Sequence, residues 1–311
     1  MSVRELVTMG TSARFPTAER NLHGLMLRWD DEGILFDPGE GTQRQMIFCD
    51  ITATSLSRIF VSHFHADHCL GLAGLCQRIS LDRVPHAVEV VFPASGEIYF
   101  DRLRKASIYH AAGRLNPRPV EDAAAEAGLE VVSSTSALEL IAAPLRHTVP
   151  CLGYRLQERP RRTMLPDRLR AAGLAGPAIK NLQRDGFALV NGQRVELEDV
   201  SVPRPGQSIA VLMDSRPCDN ALALARDAEV VVAAATYLES ERAQAEARMD
   251  RTALEAGRLA AEAGARQLIL THFDPMYAEL EPFLEEASRA FPNVALAGDG
   301  RRFPIPRPKK P

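Results

Sequence analysis

The feature that most constrains the fold is a run of histidines and an aspartate after an apolar strand pattern. The stretch His63-Phe64-His65-Ala66-Asp67-His68 follows residues 56–62, which predict a buried strand, and precedes a helical pattern at 70–79. Three of the eight histidines lie in this stretch, so a chance surface cluster is a poor explanation. Imidazole and carboxylate are the ligands that zinc prefers where thiolates are absent. We therefore expect a metal centre at this strand end.

Polar side chains also end three later strand patterns. His147 follows a strand predicted at 138–144, Asp214 follows one at 208–213, and His272 follows one at 266–271. Site residues of α/β folds collect at such strand ends. Together with the first stretch they give five histidines and two aspartates, about the number of ligands that two metal ions sharing one carboxylate require. His23, His86 and His110 lack this context.

Strand and helix patterns alternate in both halves of the chain. Further strands are predicted at 4–9, 24–29, 33–36, 86–92 and 229–234, and further helices at 41–49, 220–227, 252–263 and 280–291. This alternation predicts an α/β protein with an αββα sandwich, in which two sheets face each other and helices cover the outside. We expect one domain over residues 1–311.

Composition restricts the compartment and the class of protein. With 46% apolar and 25% charged residues, the chain is typical of a globular protein. The five cysteines are odd in number and have no CxxC spacing, which favours a reducing cytoplasm over a disulfide framework. The longest apolar run, about nine residues, is too short to cross a membrane. The N-terminus lacks the apolar stretch of a signal peptide. We expect a cytoplasmic protein without a membrane partner.

One segment differs from the rest in charge. Residues 155–184 contain eight basic and two acidic residues, a net charge of +6, whereas the remainder of the chain carries −9. The sequence Gly173-Leu174-Ala175-Gly176-Pro177 interrupts helix and strand alike. Two interpretations stay open, a solvated surface loop and a protrusion that contacts a polyanion. Since the whole chain carries only −3, any polyanion contact must come from such a local patch.

These stretches resemble a known family over nearly the whole length. Residues 63–68 resemble the HxHxDH signature of the metallo-β-lactamase superfamily. More narrowly, the chain resembles the ribonuclease Z family of tRNA 3′-processing endonucleases at residues 10–21, 36–45, 71–75, 213–218 and 271–277. The HxHxDH signature alone indicates only the superfamily. The acidic motif at 36–45, the Asp-Ser-Arg-Pro stretch and the basic segment around Gly176-Pro177 point to this family.

The resemblance implies a role for each candidate ligand. One zinc ion would be held by His63, His65 and His147, and a second by Asp67, His68 and His272, with Asp214 bridging them. A hydroxide between the ions would attack the phosphorus in line, and Asp67 would accept its proton. Asp37 and Glu40 would orient ligands rather than bind metal.

The resemblance also implies partners. An arm inserted at 155–195 would grip precursor tRNA, with Arg168, Arg170, Gly176, Pro177 and Lys180 as its candidate contacts. The protein would be a homodimer with two zinc ions per subunit, each arm serving the partner's active site. It would cut the precursor after the discriminator base and leave a 3′ hydroxyl on the tRNA.

Two positions depart from the family pattern. Asp250 stands where the family has a histidine that donates a proton to the leaving oxygen, and Ala234 stands where it has the glutamate paired with that histidine. An aspartate is a poor general acid, since its reference pKa is about 3.9 and zinc ions and Arg251 would lower it further. Asp250 could instead cap the helix that begins near Thr252.

These departures leave three outcomes open: a slow nuclease, a nuclease with a different proton donor, or a relative with another substrate. A small-substrate phosphodiesterase or related hydrolase with the same metal centre would need no proton donor for an activated leaving group. The basic segment argues against it, because a small substrate has no use for a long cationic arm. A protein that only binds tRNA is disfavoured because all seven ligands are intact.

Overall fold

The computed structural model describes residues 3–111, 113–122 and 128–305; the two ends of the predicted 1–311 domain lie outside these ranges. The strands are β1 Val3–Gly10, β2 Gly24–Asp30, β3 Glu32–Phe36, β4 Arg58–Phe60, β5 Ala87–Pro93, β6 Arg114–Val120, β7 Glu130–Ser134, β8 Leu138–Leu145, β9 Cys151–Glu158, β10 Arg161–Met164, β11 Phe187–Val190, β12 Gln193–Glu196, β13 Ser201–Arg204, β14 Ser208–Leu212, β15 Val230–Ala234, β16 Leu268–Thr271, β17 Val294–Leu296 and β18 Arg301–Pro304. The α-helices are α1 Thr42–Phe48, α2 Ala66–Cys69, α3 Gly71–Leu81, α4 Glu97–Arg104, α5 Pro166–Ala171, α6 Pro177–Asp185, α7 Asp219–Ala225, α8 Arg242–Arg248, α9 Ala253–Glu262 and α10 Glu281–Ser288. Within the described ranges, no helix has the length and apolar character that a membrane span requires.

The strands form two mixed sheets of seven strands each. The first has the order β18-β1-β2-β3-β4-β5-β6 and the second the order β17-β16-β15-β14-β9-β8-β7. In the first sheet β3 to β6 are parallel, and in the second β14 to β17 are parallel, while the remaining neighbours are antiparallel. Parallel neighbours end at the same edge of a sheet, which gives each sheet an edge where loops can meet.

Three apolar clusters hold four layers together. Side chains from both sheets, among them Leu25, Phe60, Tyr154 and Ile269, form the central core. A second cluster packs α1, α3 and α4 on the outer face of the first sheet, and a third packs α7, α9 and α10 on the outer face of the second. The predicted αββα sandwich is therefore confirmed, with each sheet buried on both faces as parallel strands require.

The sequence patterns locate the regular elements well but miss several. Each predicted strand and helix is present, with shifts at its ends. The strand predicted at 56–62 shortens to β4, because the backbone N–H of Ser62 donates to Asp37 instead of continuing the ladder. The pattern misses β6, which carries Pro117 and Pro119 and lies at a sheet edge, where proline is tolerated.

The basic segment forms a small unit of its own. Its strand β10 pairs with β13, β11 and β12 form a hairpin, and α5 and α6 lie between them. Leu169, Leu174, Leu182 and Val200 make its buried core, so the segment is not an open solvated loop. The predicted start at 155 falls inside β9, where Arg155 pairs with Ala210 of the second sheet. The folded unit therefore runs from β10 to β13, and its last strand lies beyond residue 195, where the arm is predicted to end.

A buried ion pair joins the two sheets where the arm begins. Arg4 of β1 contacts Glu158 at the end of β9 through Nη2 and Oε1 at 2.8 Å, and Asp30 at 2.7 Å. Its guanidinium carbon lies 4.2 Å from the centre of the Trp29 ring. Burial alone would raise the pKa of Glu158, but the hydrogen bonds from Arg4 lower it below its ordinary value.

We predict that Arg4→Met destabilises the protein by about 3–5 kcal/mol, because it leaves the buried Glu158 carboxylate without its partner. The double variant Arg4→Met/Glu158→Gln should lose much less, since the buried carboxylate is neutralised and among the carboxylates only the partly exposed Asp30 loses its contact with Arg4. Urea denaturation of metal-free proteins at pH 7 measures both.

The destabilisation caused by Arg4→Met should decrease as the pH falls. A carboxyl group with a lowered pKa in the folded state stabilises the protein above its unfolded pKa of about 4.3, and this stabilisation is lost as the pH falls through the folded value. The difference between wild type and Arg4→Met should therefore shrink below about pH 4.3. A difference that is constant down to pH 3 would contradict this account.

Candidate metal centre

Loops after strands of both sheets bring the seven predicted ligands together. His63, His65, Asp67 and His68 follow β4 in the first sheet, whereas His147, Asp214 and His272 follow β8, β14 and β16 in the second. The ligand atoms fall into two groups, and within each group they lie within 4.8 Å of one another. The first group is His63, His65, His147 and Asp214, and the second is Asp67, His68 and His272.

The first group is built on side chains from three loops, those after β4, β8 and β14. His63 Nε2 lies 2.9 Å from His65 Nδ1, and His147 Nε2 lies 3.3 Å from the same atom. Asp214 Oδ2 is 3.9 Å from His63 Nε2. The other ring nitrogen of His147, Nδ1, faces the carbonyl oxygen of Met249 at 3.0 Å. A hydrogen bond there leaves Nε2 of His147 as the metal-facing nitrogen.

The second group is fully buried except at one carboxylate. His68 Nε2 lies 3.0 Å from His272 Nε2, and Asp67 Oδ2 is 3.3 Å from the latter. Asp67 and His68 are on the short helix α2, which begins directly after His65. Asp214 Oδ2 is 3.4 Å from His68 Nε2, so this carboxylate lies between the two groups. The placement of Asp214 fits the bridging position that the resemblance implies.

The donor set fits two divalent cations better than it fits a metal-free polar core. Converging imidazole nitrogens at these distances have no protein acceptor that satisfies all of them. Burial alone would raise the pKa of Asp67 and of Asp214, but His68 and His272 lower both well below the ordinary range. Both carboxylates are therefore ionised at neutral pH, which is the form that binds metal.

A second layer of hydrogen bonds orients the ligands. The Asp37 carboxylate accepts the backbone N–H and the hydroxyl of Ser62, both at 2.6 Å, and its Oδ2 lies 3.0 Å from His68 Nδ1. The orienting role expected of Asp37 therefore has a structural basis. The same expectation for Glu40 is wrong, because its side chain is exposed and only its carbonyl oxygen is used, as an acceptor for Asn21.

Several residues around the site adopt a left-handed backbone. Arg14, Asp37, Met249 and His272 have φ angles of 60°, 46°, 58° and 62°. This region is unfavourable for residues other than glycine, at a cost of roughly 1–2 kcal/mol each. Such conformations persist where surrounding contacts determine them, and they concentrate at functional sites. Here they direct ligands and their supporting groups into one cavity.

Asp250 lies in the site and does not cap α9. The N-cap residue is Thr252, whose hydroxyl accepts the N–H of Glu255 at 3.3 Å while the Glu255 carboxylate accepts the N–H of Thr252 at 3.0 Å. Asp250 Oδ1 is 3.8 Å from His147 Nδ1. Burial, and after it the Asp214 carboxylate, raises the pKa of Asp250 to about 8. The capping interpretation is therefore wrong, whereas the lowering of this pKa by bound zinc ions stays a prediction.

The position of the expected glutamate is apolar. Ala234 ends β15 and is fully buried. Arg251, which follows Asp250 in the sequence, is fully buried too, and its Nη2 donates to the Ser215 hydroxyl at 2.7 Å. Arg251 therefore points towards the loop after β14 and does not act on Asp250, contrary to the expectation from its neighbouring position.

Sequence reasoning missed one histidine behind the site. His23 is fully buried, and its ring centre lies 5.7 Å from that of His68 and 6.0 Å from that of His272. Burial lowers the pKa of His23 to about 3, so the ring is neutral. No signal in the sequence separates His23 from a core residue, because it reaches the site only through the pairing of β2 with its neighbours.

The ligand groups open into one cavity of about 430 Å³. Its lining residues are Arg14, His65, Ala66, Asp67, His147, Thr148, Asp214, Thr236, Ala247, Arg248, Asp250 and His272. A cavity of this size accepts a nucleotide-sized group beside the ligand atoms.

Known proteins agree with this architecture. The family model of the metallo-beta-lactamase superfamily matches residues 25–157. The chain is 50% identical to Ribonuclease Z of Salinispora arenicola, over 94% of this chain and 92% of that protein. It is 44% identical to Ribonuclease Z of Chlamydia caviae, over 99% and 98%. The crystal structure of human tRNase Z, short form, has the same fold, with a TM-score of 0.72 at 22% identity and coverage of 97% of this chain and 100% of that one. The chain thus belongs to the ribonuclease Z family within the metallo-β-lactamase superfamily.

Proposed function

We propose that this chain is a zinc-dependent endoribonuclease that removes 3′ trailers from precursor tRNA. The observation that carries the proposal is the pair of adjacent ligand groups with Asp214 between them, both of which contribute side chains to one cavity. The names of the relatives, Ribonuclease Z and tRNase Z, supply the substrate class. The basic arm supports it, because a polyanion is the partner that such an arm suits.

In this proposal each ligand group holds one zinc ion. His63, His65 and His147 would hold the first, and Asp67, His68 and His272 would hold the second, with Asp214 available to both. Bound divalent ions lower the pKa of water and stabilise charge on the attacking and leaving oxygens of a phosphodiester. Asp67 Oδ2 accepts the backbone N–H of Arg14 at 2.6 Å, which fixes this carboxylate at the cavity wall. There Asp67 can accept a proton from the attacking water.

The arm would bind the body of the tRNA through phosphates. Arg168, Arg170 and Lys180 are exposed on α5 and α6, and α6 begins after Gly176, whose φ of 55° suits glycine. Pro177 is the first residue of that helix, where a missing N–H costs nothing. The buried core of the arm holds these side chains on a folded surface.

Two further properties belong to the same proposal. We expect a homodimer in which each arm serves the partner's active site, and a size measurement in solution tests this. We also expect a cytoplasmic protein, which the five free cysteines support, since four of them are buried and none forms a disulfide.

A second candidate is favoured by Asp250 and Ala234. A site with the same ligands and no histidine–glutamate pair suits a small phosphodiester with an activated leaving group, because such a group needs no proton. The arm has no role in that reaction, so this candidate ranks below the nuclease.

We predict that His272→Asn lowers bound zinc from about two ions per chain to about one, because the second group keeps only Asp67 and His68 beside the shared Asp214. Hydrolysis of bis(p-nitrophenyl) phosphate should fall by at least about 100-fold, since one of the two cations that stabilise the phosphoryl oxygens is lost. Metal analysis by mass spectrometry and a colorimetric assay measure both.

His110→Asn is the matched control, because His110 is exposed and belongs to neither ligand group. It should keep the metal content of the wild type. Equal zinc content in wild type and His272→Asn would remove His272 from the ligand set.

We predict that the zinc-loaded wild type cuts a 3′-extended precursor tRNA at the discriminator base and also hydrolyses bis(p-nitrophenyl) phosphate. Asp250→His should raise tRNA cleavage by about tenfold or more, because loss of a general acid typically costs about 10²–10⁴-fold. It should change hydrolysis of the activated diester much less, since nitrophenolate leaves without a proton.

A different outcome would favour the small-substrate function. If wild type and Asp250→His both hydrolyse the activated diester but leave the precursor intact, the tRNA-processing proposal fails and the small-substrate function replaces it. Asp250→Asn is the control for a change of side chain without a titrating imidazole.

A further inference from the structure

Two arginines line the cavity of the metal centre without belonging to the ligand groups or to the arm. Arg14 lies in the loop after β1, and Arg248 is the last residue of α8. Every other charged or titratable lining residue is a predicted metal ligand or Asp250. The two guanidinium groups are therefore the permanent cations that the described part of the chain places around this cavity.

Arg14 is held in place from two sides. Its backbone N–H donates to Asp67 Oδ2 at 2.6 Å, and its left-handed φ of 60° makes that contact possible. Its guanidinium forms an ion pair with Asp274, which is fully buried. The side chain of Arg14 is nevertheless 37% exposed. A guanidinium has five N–H donors in a planar fork, so a group anchored to Asp274 on one edge can still bind a phosphate on another.

Arg248 reaches the cavity from a different part of the chain than Arg14. Helix α8 ends there because Met249 adopts a left-handed φ of 58°, and the chain then turns so that Asp250 enters the site. Arg248 is exposed, and no carboxylate of the described residues lies within ion-pair distance of it. Its charge is therefore available to a ligand.

The two cations share one cavity with the ligand groups. Arg14 and Arg248 line the same cavity of about 430 Å³ as Asp67, Asp214 and His272. A strand bound at those groups therefore meets guanidinium groups from two separate parts of the chain.

We propose that Arg14 and Arg248 bind the phosphates adjacent to the scissile one and thereby select a nucleic acid strand over a small phosphodiester. This inference rests on the proposed nuclease function. Bound divalent ions compensate the scissile phosphate, but its neighbours along a strand need cations of their own, and guanidinium groups bind phosphate in a directed way. A small diester has no neighbouring phosphate and gains nothing from these arginines.

The test uses zinc-loaded protein and bis(p-nitrophenyl) phosphate hydrolysis as the reporter, with 3′-extended precursor tRNA as the competitor. The inhibition constant of the RNA is measured at several salt concentrations for wild type, Arg248→Gln and Arg14→Lys. Arg14→Lys keeps the charge and the pairing with Asp274 but loses the fork, so it remains informative where removal of the charge would unfold the loop. Arg289→Gln removes an exposed charge of the same kind from α10 and is the matched control.

For Arg248→Gln we expect the RNA inhibition constant to rise about five- to tenfold at low salt. The slope of its logarithm against log salt should fall by about 0.7–0.9, the value for one lost phosphate contact. Arg14→Lys should raise the inhibition constant about threefold or more with little change in slope, and Arg289→Gln should match wild type. The ratio of tRNA to small-diester kcat/KM should fall about tenfold in Arg248→Gln.

The outcomes separate this inference from the proposed function. If wild type cuts the precursor but Arg248→Gln has the wild-type salt slope, the arginine assignment is overturned and the nuclease function stands. If RNA inhibits as expected in all variants but is never cut, the strand-binding role is upheld and the nuclease function fails. Equal losses with RNA and with the small diester would make Arg248 a structural residue of the site and overturn its selective role.

Discussion

The metal centre depends on one carboxylate that ties two strand ends together. Asp37 follows β3, and it binds both the backbone N–H and the hydroxyl of Ser62 after β4 at 2.6 Å. The same carboxylate lies 3.0 Å from Nδ1 of His68. One side chain therefore sets the direction in which the chain leaves β4 and also turns Nε2 of His68 towards the second ligand group. A charged acceptor with three donors in the protein interior is well compensated, which sustains the left-handed backbone of Asp37.

Local sequence patterns predict the ligands but not the layer behind them. Each ligand loop follows an apolar strand pattern. Because a few neighbouring residues are enough to form such a pattern, the sequence predicts the sheet edge at which the loops meet. The supporting groups depend on tertiary packing. Asp37 and Glu40 belong to one acidic motif, yet only Asp37 directly continues a buried strand, while Glu40 lies beyond the turn and is exposed. His23 reaches the back of His68 and His272 only because β2 pairs between β1 and β3.

The N-cap of α9 is Thr252 rather than Asp250, and the sequence contains the pattern that shows this. Asp250 precedes α9 and has a side chain suited to capping, which makes it a candidate for the N-cap. The spacing Thr252-x-x-Glu255 is the pattern of a capping box, in which both residues satisfy N–H groups of the first turn. With those donors already satisfied, Asp250 has no capping role and its carboxyl is directed into the cavity instead. The pattern that assigns the cap to Thr252 thus excludes Asp250 from that role, and the fold places Asp250 at the cavity.

Selection of a polyanion follows from how charge is distributed over this fold. The cavity holds two ionised carboxylates, Asp67 and Asp214, which repel a phosphodiester unless cations compensate them. The ligand groups supply positions for such cations, and Arg14 and Arg248 add fixed positive charge beside them. The arm adds a second cationic surface, and it folds around an apolar core of its own. A substrate that carries a single phosphate can use only the innermost charges, whereas a strand can use all of them at once. The open, polar cavity therefore discriminates by the number and spacing of phosphates rather than by enclosing the substrate.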